Sequence, residues 1–262
     1  MFHKKEFRDL VLSPHESTLG IQDVYDADMW KTFLFNPLDN TEAFLSDPKN
    51  IALLLNIDWF KPYKRSEYKV SAVMLTILNL PREERFKDKW TMIVGIIPGP
   101  TEPKGNINTY IKPLIDDLLS LWGGLSLHPD GSIIKACLLG ISADVPALRK
   151  ATQFLGHKAN MGCSRCTFSA EREASSKGST GNMSYYTKIM APSRTKDQVL
   201  QQGTEFCQAK TKAESLEIQK RNGVRYSELL RLPYYDLVRM SITDPMHTIW
   251  LGMVRNELKL CI

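Results

Sequence analysis

Two aspartates close apolar runs: Asp58 ends LLLNID, and Asp144 ends IIKACLLGISAD 86 positions later. A charge at the end of a buried strand is costly unless it is paired or solvated, so each carboxylate needs a cation, a capping role or the surface. Two carboxylates brought within a few ångströms repel, and a divalent cation between them relieves the repulsion. Two Mg2+ or Mn2+ ions held roughly 3.5–4 Å apart can activate a water or a 3′-hydroxyl and steady the leaving oxygen of a phosphodiester. Each residue also has an ordinary structural role open to it: Asp58 as a turn or cap residue, and Asp144, before Val145 and Pro146, as a helix N-cap.

Cys163 and Cys166 form a CxxC turn, whose short span lets both sulfurs face one tetrahedral centre such as Zn2+. Two more ligands are then needed. His247 in ITDPMH is the first candidate, with Asp244 as a fourth ligand or an orienting carboxylate, and His157 is the alternative. The same DPMH also reads as a capped helix start with Pro245 in the first turn. Basic residues lie beside both aspartates: Lys61, Lys64 and Arg65 after Asp58, and Arg149, Lys150 and Lys158 after Asp144. Together they mark where a phosphate backbone can lie.

The elements that must position these groups begin near residue 49. Residues 1–48 form a lead-in segment of mixed polar and aromatic composition, with ADMWKTFLF as a short amphipathic helix. Three strand-like blocks follow, IALLLNID, KVSAVMLTILNL and WTMIVGIIPGP, each closed by turn residues. Ile107, Ile111, Leu114, Ile115, Leu118 and Trp122 then recur at helical spacing up to Gly123-Gly124. A nearly unbroken apolar strand ends at Asp144, and a helix runs on from Pro146.

Strand, strand, strand, helix, strand, helix is the order of an RNase H-like (retroviral-integrase-like) α/β fold with a mixed sheet. In it strands one and four are neighbours, which brings Asp58 beside Asp144 at the carboxyl ends of adjacent strands. The expected core is 49–166. Residues 167–222 read as a flexible, partly helical insertion around SSKGSTGNMS, and 223–262 as the start of a C-terminal helical region holding DPMH.

Composition narrows the class. No apolar run approaches the roughly 20 residues of a membrane span, and the N-terminus lacks the apolar stretch of a secretory signal, so an intracellular protein is expected. Five cysteines at irregular spacing do not form a disulfide framework. A net charge of +5 suits an anionic partner without the strong basicity of a dedicated nucleic-acid module.

Five stretches in this order, NIDWFKP, LNLPREERFK, IIPGPTEPKGNINTYIKPLIDDLLSLW, ADVPALRKATQFLGHKANMGCSRC and SITDPMH, resemble the transposase of CACTA-type (En/Spm-like) DNA transposons. The resemblance implies a nuclear protein that cuts and joins DNA at transposon ends through an Asp-Asp-Glu triad with Mg2+, and a homo-oligomer fits the same reading. Asp58 and Asp144 match the first two acidic positions, and Cys163, Cys166, Asp244 and His247 match recurrent family features. No glutamate matches the third position; Glu228 and Glu257 carry no motif. The expectation is a truncated or domesticated derivative that retains the catalytic core, with a non-catalytic DNA- or protein-binding module on the same scaffold as the alternative.

Overall fold

The computed structural model describes residues 4–13, 20–33, 43–103, 107–126, 131–156, 159–172, 184–185, 191–255 and 258. In chain order the elements are α1 (Lys5–Val11), α2 (Asp28–Thr32), β1 (Ile51–Phe60), β2 (Val70–Ile77), α3 (Arg82–Arg85), β3 (Met92–Ile97), α4 (Asn108–Gly123), β4 (Ala136–Ala143), α5 (Val145–Thr152), β5 (Glu171–Arg172), β6 (Ser184–Tyr185), α6 (Lys196–Gln208), α7 (Lys212–Asn222) and β7 (Ser241–Thr243). A π-helical stretch, Met246–Val254, follows β7.

The three strand-like blocks pair as an antiparallel meander, β1 with β2 and β2 with β3. The apolar β4 then lies parallel to β1, and β7 parallel to β4, giving one mixed sheet in the order β3-β2-β1-β4-β7. Alternation along the strands divides the buried residues between two faces. Ile51, Leu53, Val73, Leu75 and Ile77 point toward α4, where Pro113, Leu114 and Leu118 help to line a cavity of about 490 Å3. Leu54, Gly140 and Ile242 point the other way, beneath Val24, Met29 and Trp30.

The lead-in segment therefore contributes to the core. Phe7, Val11, Phe33 and Phe44 are buried in the same cluster as the strands. Phe7 packs on Trp90, and Phe33 and Phe44 pack on Trp122. No described helix is long and apolar enough to cross a membrane.

Two stretches bear on the sequence reading. First, α6 begins at Lys196, in the helical later part of the 167–222 insertion, because Thr195 and Gln198 form a reciprocal capping box. Apart from Ser184, the SSKGSTGNMS centre of that stretch lies outside the described residues. Second, the region read as helical opens with a single turn of 3-10 helix, Glu228–Arg231, and then supplies β7. Ser241–Thr243 is too short to show a strand period by itself, and it becomes a strand because the free edge of β4 offers unpaired backbone groups.

Candidate active site at the carboxyl ends of the strands

The register between β1 and β4 decides what faces Asp58. Pairing runs Leu53↔Leu138, skips Leu139, and resumes with Leu54↔Gly140, Leu55↔Ile141 and Asn56↔Ser142. Leu139 is the extra residue of a bulge. Carried on by two residues, the resumed register sets Asp58 opposite Asp144. Without the bulge Asp58 would face Ala143, and Asp144 would turn to the other side of the sheet.

Asn56 reinforces this alignment, since its Nδ2 donates to the backbone oxygen of Ser142 at 2.8 Å. Sequence reasoning missed Asn56. The signal was present: Asn56 and Ser142 are separated by the same 86 positions as the two aspartates.

On the other side of β4, Ala143 pairs with Thr243 in β7, and the amide of Asp244 donates to the oxygen of Ala143 at 3.2 Å. One more step sets Asp244 opposite Asp144. Extended in this way, the register puts Asp58, two residues before the end of β1, and Asp144 and Asp244, just past the ends of β4 and β7, in one row on the face opposite α4. The sequence reading grouped Asp244 and His247 with the two cysteines, whereas the strand register aligns Asp244 with the aspartates.

The three carboxylates differ in their local ties. Asp58 is exposed and accepts no hydrogen bond from a described residue. Asp144 is the N-cap of α5, its Oδ1 accepting from the Ala147 amide at 2.7 Å, so the capping role legible in the sequence is filled while Oδ2 stays uncommitted. Asp244 accepts from the Met246 amide at 2.7 Å through Oδ1, and its Oδ2 lies 2.5 Å from Nδ1 of His247.

That contact draws the His247 imidazolium upward in pKa, with smaller contributions from the charges of Asp244, Asp144 and Asp58. The same contact holds the Asp244 carboxyl below the usual range. Because the folded pKa of His247 is raised, the pair's stabilisation is fully present below the unfolded value near about 6.5 and is lost as pH rises through the folded value. An NMR titration is expected to find His247 above that reference, and to find it moved back toward the reference in Asp244→Asn. An unchanged midpoint in that variant would refute the pairing.

Cys163 and Cys166 lie in a turn clamped by Arg194, whose Nε donates to the oxygens of both residues at 3.0 and 3.1 Å. Burial pushes the Cys163 thiol up, but the amides of Arg165 and Cys166, the Cys166 thiol and the Arg194 charge outweigh it and hold Cys163 below its ordinary value. Arg165, inside the turn, donates to the backbone oxygens of Val238 and Ser241, tying the turn to the start of β7. No group of three or more His, Cys, Asp or Glu side chains among the described residues is gathered closely enough to hold a metal ion. His157 and Lys158 lie outside the described residues.

The basic residues separate into classes. Lys61 pairs with Glu67 at 2.8 Å on the surface, while Lys64 and Arg65 are exposed in the turn after β1. Arg149 has one guanidinium nitrogen buried without a hydrogen bond. Lys150 reaches Glu102 at 2.5 Å and stands 5.1 Å from the Trp59 ring centre. Glu102 and Lys69, which is 2.6 Å from the same carboxylate, were not found by sequence reasoning: Glu102 lies within the IIPGPTEPKG stretch, but no spacing links it to Lys69 or to the aspartates.

The family model described as "Transposase family tnp2" matches residues 21–221, a stretch that contains Asp58, Asp144, Cys163 and Cys166. A search of curated proteins gave no match.

Proposed function

This chain belongs to the transposase family tnp2, and from that membership we propose that it holds the catalytic core of a CACTA-type cut-and-paste transposase with an RNase H-like fold. DNA is the partner that membership implies; transposon ends and a nuclear location are part of the proposal. The single observation that carries it is the bulged register between β1 and β4, with β7 alongside, which when extended by one or two residues aligns Asp58, Asp144 and Asp244 near the carboxyl ends of the three strands. The strand order, with an antiparallel meander followed by two parallel strands, supports the fold reading.

By type, three carboxylates suit a hard divalent cation, offering oxygen ligands without thiolates; the described side chains are not gathered around one point, and Asp244 is tied to Met246 and His247. Asp58, Asp144 and Asp244 would hold Mg2+ or Mn2+, which when bound would activate the attacking oxygen and stabilise charge on the leaving one. The chain's own residues do the positioning. Asn56 and the bulge hold β1 against β4, α5 fixes Asp144 through its cap, and His247 restrains Asp244 while drawing charge from it. On the extended register Asp244 stands at the level of the other two.

The experiment is Mg2+- or Mn2+-dependent nicking of duplex DNA bearing terminal inverted repeats. Metal-dependent nicking that is lost in Asp58→Asn supports the proposal, and nicking that survives loss of both Asp58 and Asp144 refutes it. One observation favours the alternative of a non-catalytic DNA-binding module: the described acidic residues do not converge into a ready cage. DNA binding with no nicking by the intact chain would select that alternative.

We assign Cys163 and Cys166 to half of a structural Zn2+ site, supported by the turn that Arg194 holds through both backbone oxygens. Metal analysis of the purified protein is expected to find close to one zinc per chain, reduced in Cys163→Ser. Zinc far below one per chain would overturn this assignment.

A further inference from the structure

One carboxylate beside the aspartate row is held by two lysines. Lys69 Nζ lies 2.6 Å from Oε1 of Glu102, and Lys150 Nζ lies 2.5 Å from Oε2. Both lysines come from elements that frame the site. Lys69 stands one residue before β2, at the end of the sheet where β1 finishes, and it feels the charge of Asp144. Lys150 lies in α5, six residues beyond Asp144, with its ammonium 5.1 Å from the centre of the ring of Trp59, which follows Asp58 in β1 and alternates to the other face of the strand.

The loop that carries Glu102 is fixed against β2. The Lys69 amide donates to the Pro100 oxygen at 3.0 Å, and a Cβ on Gly99 would come within 2.3 Å of the Lys69 oxygen. Glu102 is thus presented to the two ammonium groups by a backbone with little freedom to withdraw.

Two ammonium groups, each directed at one oxygen of the same anion, match the demand of a phosphodiester with its two non-bridging oxygens. We propose that Lys69 and Lys150 form a clamp for a DNA backbone phosphate beside the aspartate row, and that Glu102 occupies the clamp in the free protein as an internal stand-in for that phosphate. Entry of DNA then exchanges one anion for another: the phosphate takes the two lysines, and Glu102 turns out to solvent. The glutamate keeps the lysines from neutralising the aspartates in the absence of DNA, and it competes with every phosphate that approaches. This inference rests on the DNA-cleavage reading above and adds to it a binding subsite and a competitor.

The test is equilibrium binding of a fluorescently labelled DNA duplex to the full chain without added Mg2+ or Mn2+, where metal-dependent cleavage does not proceed, as a function of salt. Glu102→Gln removes the competing charge and is expected to tighten binding about fivefold, the scale of losing two partly exposed ion pairs. The double variant Lys69→Gln/Lys150→Gln is expected to weaken binding and to lower the slope of log affinity against log salt by about one. Adding Glu102→Gln to that double variant is then expected to give much less than the fivefold gain, because the lysines for which Glu102 competes are gone.

Thermal unfolding of each variant separates lost binding from lost fold. Tighter binding by Glu102→Gln that depends on both lysines supports the clamp. Wild-type DNA affinity in Glu102→Gln, with the salt slope unchanged in the double lysine variant, overturns it while leaving the transposase reading intact. Absence of DNA binding by the wild type and by Glu102→Gln alike overturns both. Inorganic phosphate that competes as well as DNA at equal phosphate concentration shows a free-anion site and overturns the DNA assignment.

Discussion

Asp144→Asn is expected to lower metal-dependent DNA nicking by about 10^3-fold while leaving the melting temperature close to that of the wild type. The two effects separate because asparagine caps a helix about as well as aspartate, so the bond to the Ala147 amide survives in kind. What disappears is the formal charge on the uncommitted oxygen. Loss of about 4 kcal/mol of transition-state charge stabilisation corresponds to the expected factor. Asp144→Ala is expected to lose the same activity and in addition about 1 kcal/mol of stability, the usual worth of an N-cap. Asp58→Asn should match Asp144→Asn in activity with no stability change, since Asp58 is exposed and caps nothing. Wild-type nicking rates in Asp144→Asn would place the chemistry elsewhere. Equal loss of activity and melting temperature in all three variants would reduce Asp144 to its capping role.

The second large effect concerns stability. Arg85 is 3% exposed and donates two bonds to Asp23 at 2.6 and 2.9 Å and two more to the oxygen of Leu80. Asp23 in turn caps the 3-10 turn Val24–Asp26, and the Tyr25 hydroxyl donates to the oxygens of Leu78 and Leu80. This cluster fastens residues 23–26 of the lead-in segment to the chain just beyond β2. Arg85→Met is expected to destabilise the protein by about 2–3 kcal/mol, because it leaves the half-buried Asp23 carboxylate without its cation and the Leu80 oxygen without two donors. The double variant Asp23→Asn/Arg85→Met is expected to recover part of that loss, because no unpaired charge remains. Chemical denaturation of the wild type and the two variants measures both quantities, and a single-variant loss under about 1 kcal/mol would refute the argument.

The same pair has a pH signature. Burial pushes the Asp23 carboxyl up, but the Arg85 hydrogen bond and charge, with the Val24 amide, outweigh it and hold Asp23 below the usual carboxylate value. A depressed folded pKa means that the stabilisation is present above the unfolded value near about 3.9 and is lost as pH falls through the folded value. Wild-type stability is therefore expected to fall in that acid window. Arg85→Met, which has already lost the pair, should show a flatter response.

The sequence by itself determined most of the elements and two of the three aspartates. Alternating apolar blocks with turn residues between them define β1, β2 and β3, and helical spacing from Ile107 to Trp122 defines α4, because both patterns are local and long enough to repeat. Asp58 and Asp144 stand out because each ends such a run, and CxxC is legible because its geometry is contained in four residues.

The tertiary structure alone decided how these pieces register. The bulge at Leu139 lies within an apolar run in which any offset buries equally well, so nothing local signals which residue is skipped, yet that skip sets Asp144 rather than Ala143 across from Asp58. β7 is three residues long and is specified by the β4 edge about 100 positions earlier, so Asp244 could be placed beside the other aspartates only by a non-local pairing. Glu102, Lys69 and Lys150 meet from a loop, a strand end and a helix with no spacing in common. Local patterns specify which element forms; which side chains then share a site depends on pairings between distant segments, and these are settled only when the sheet closes.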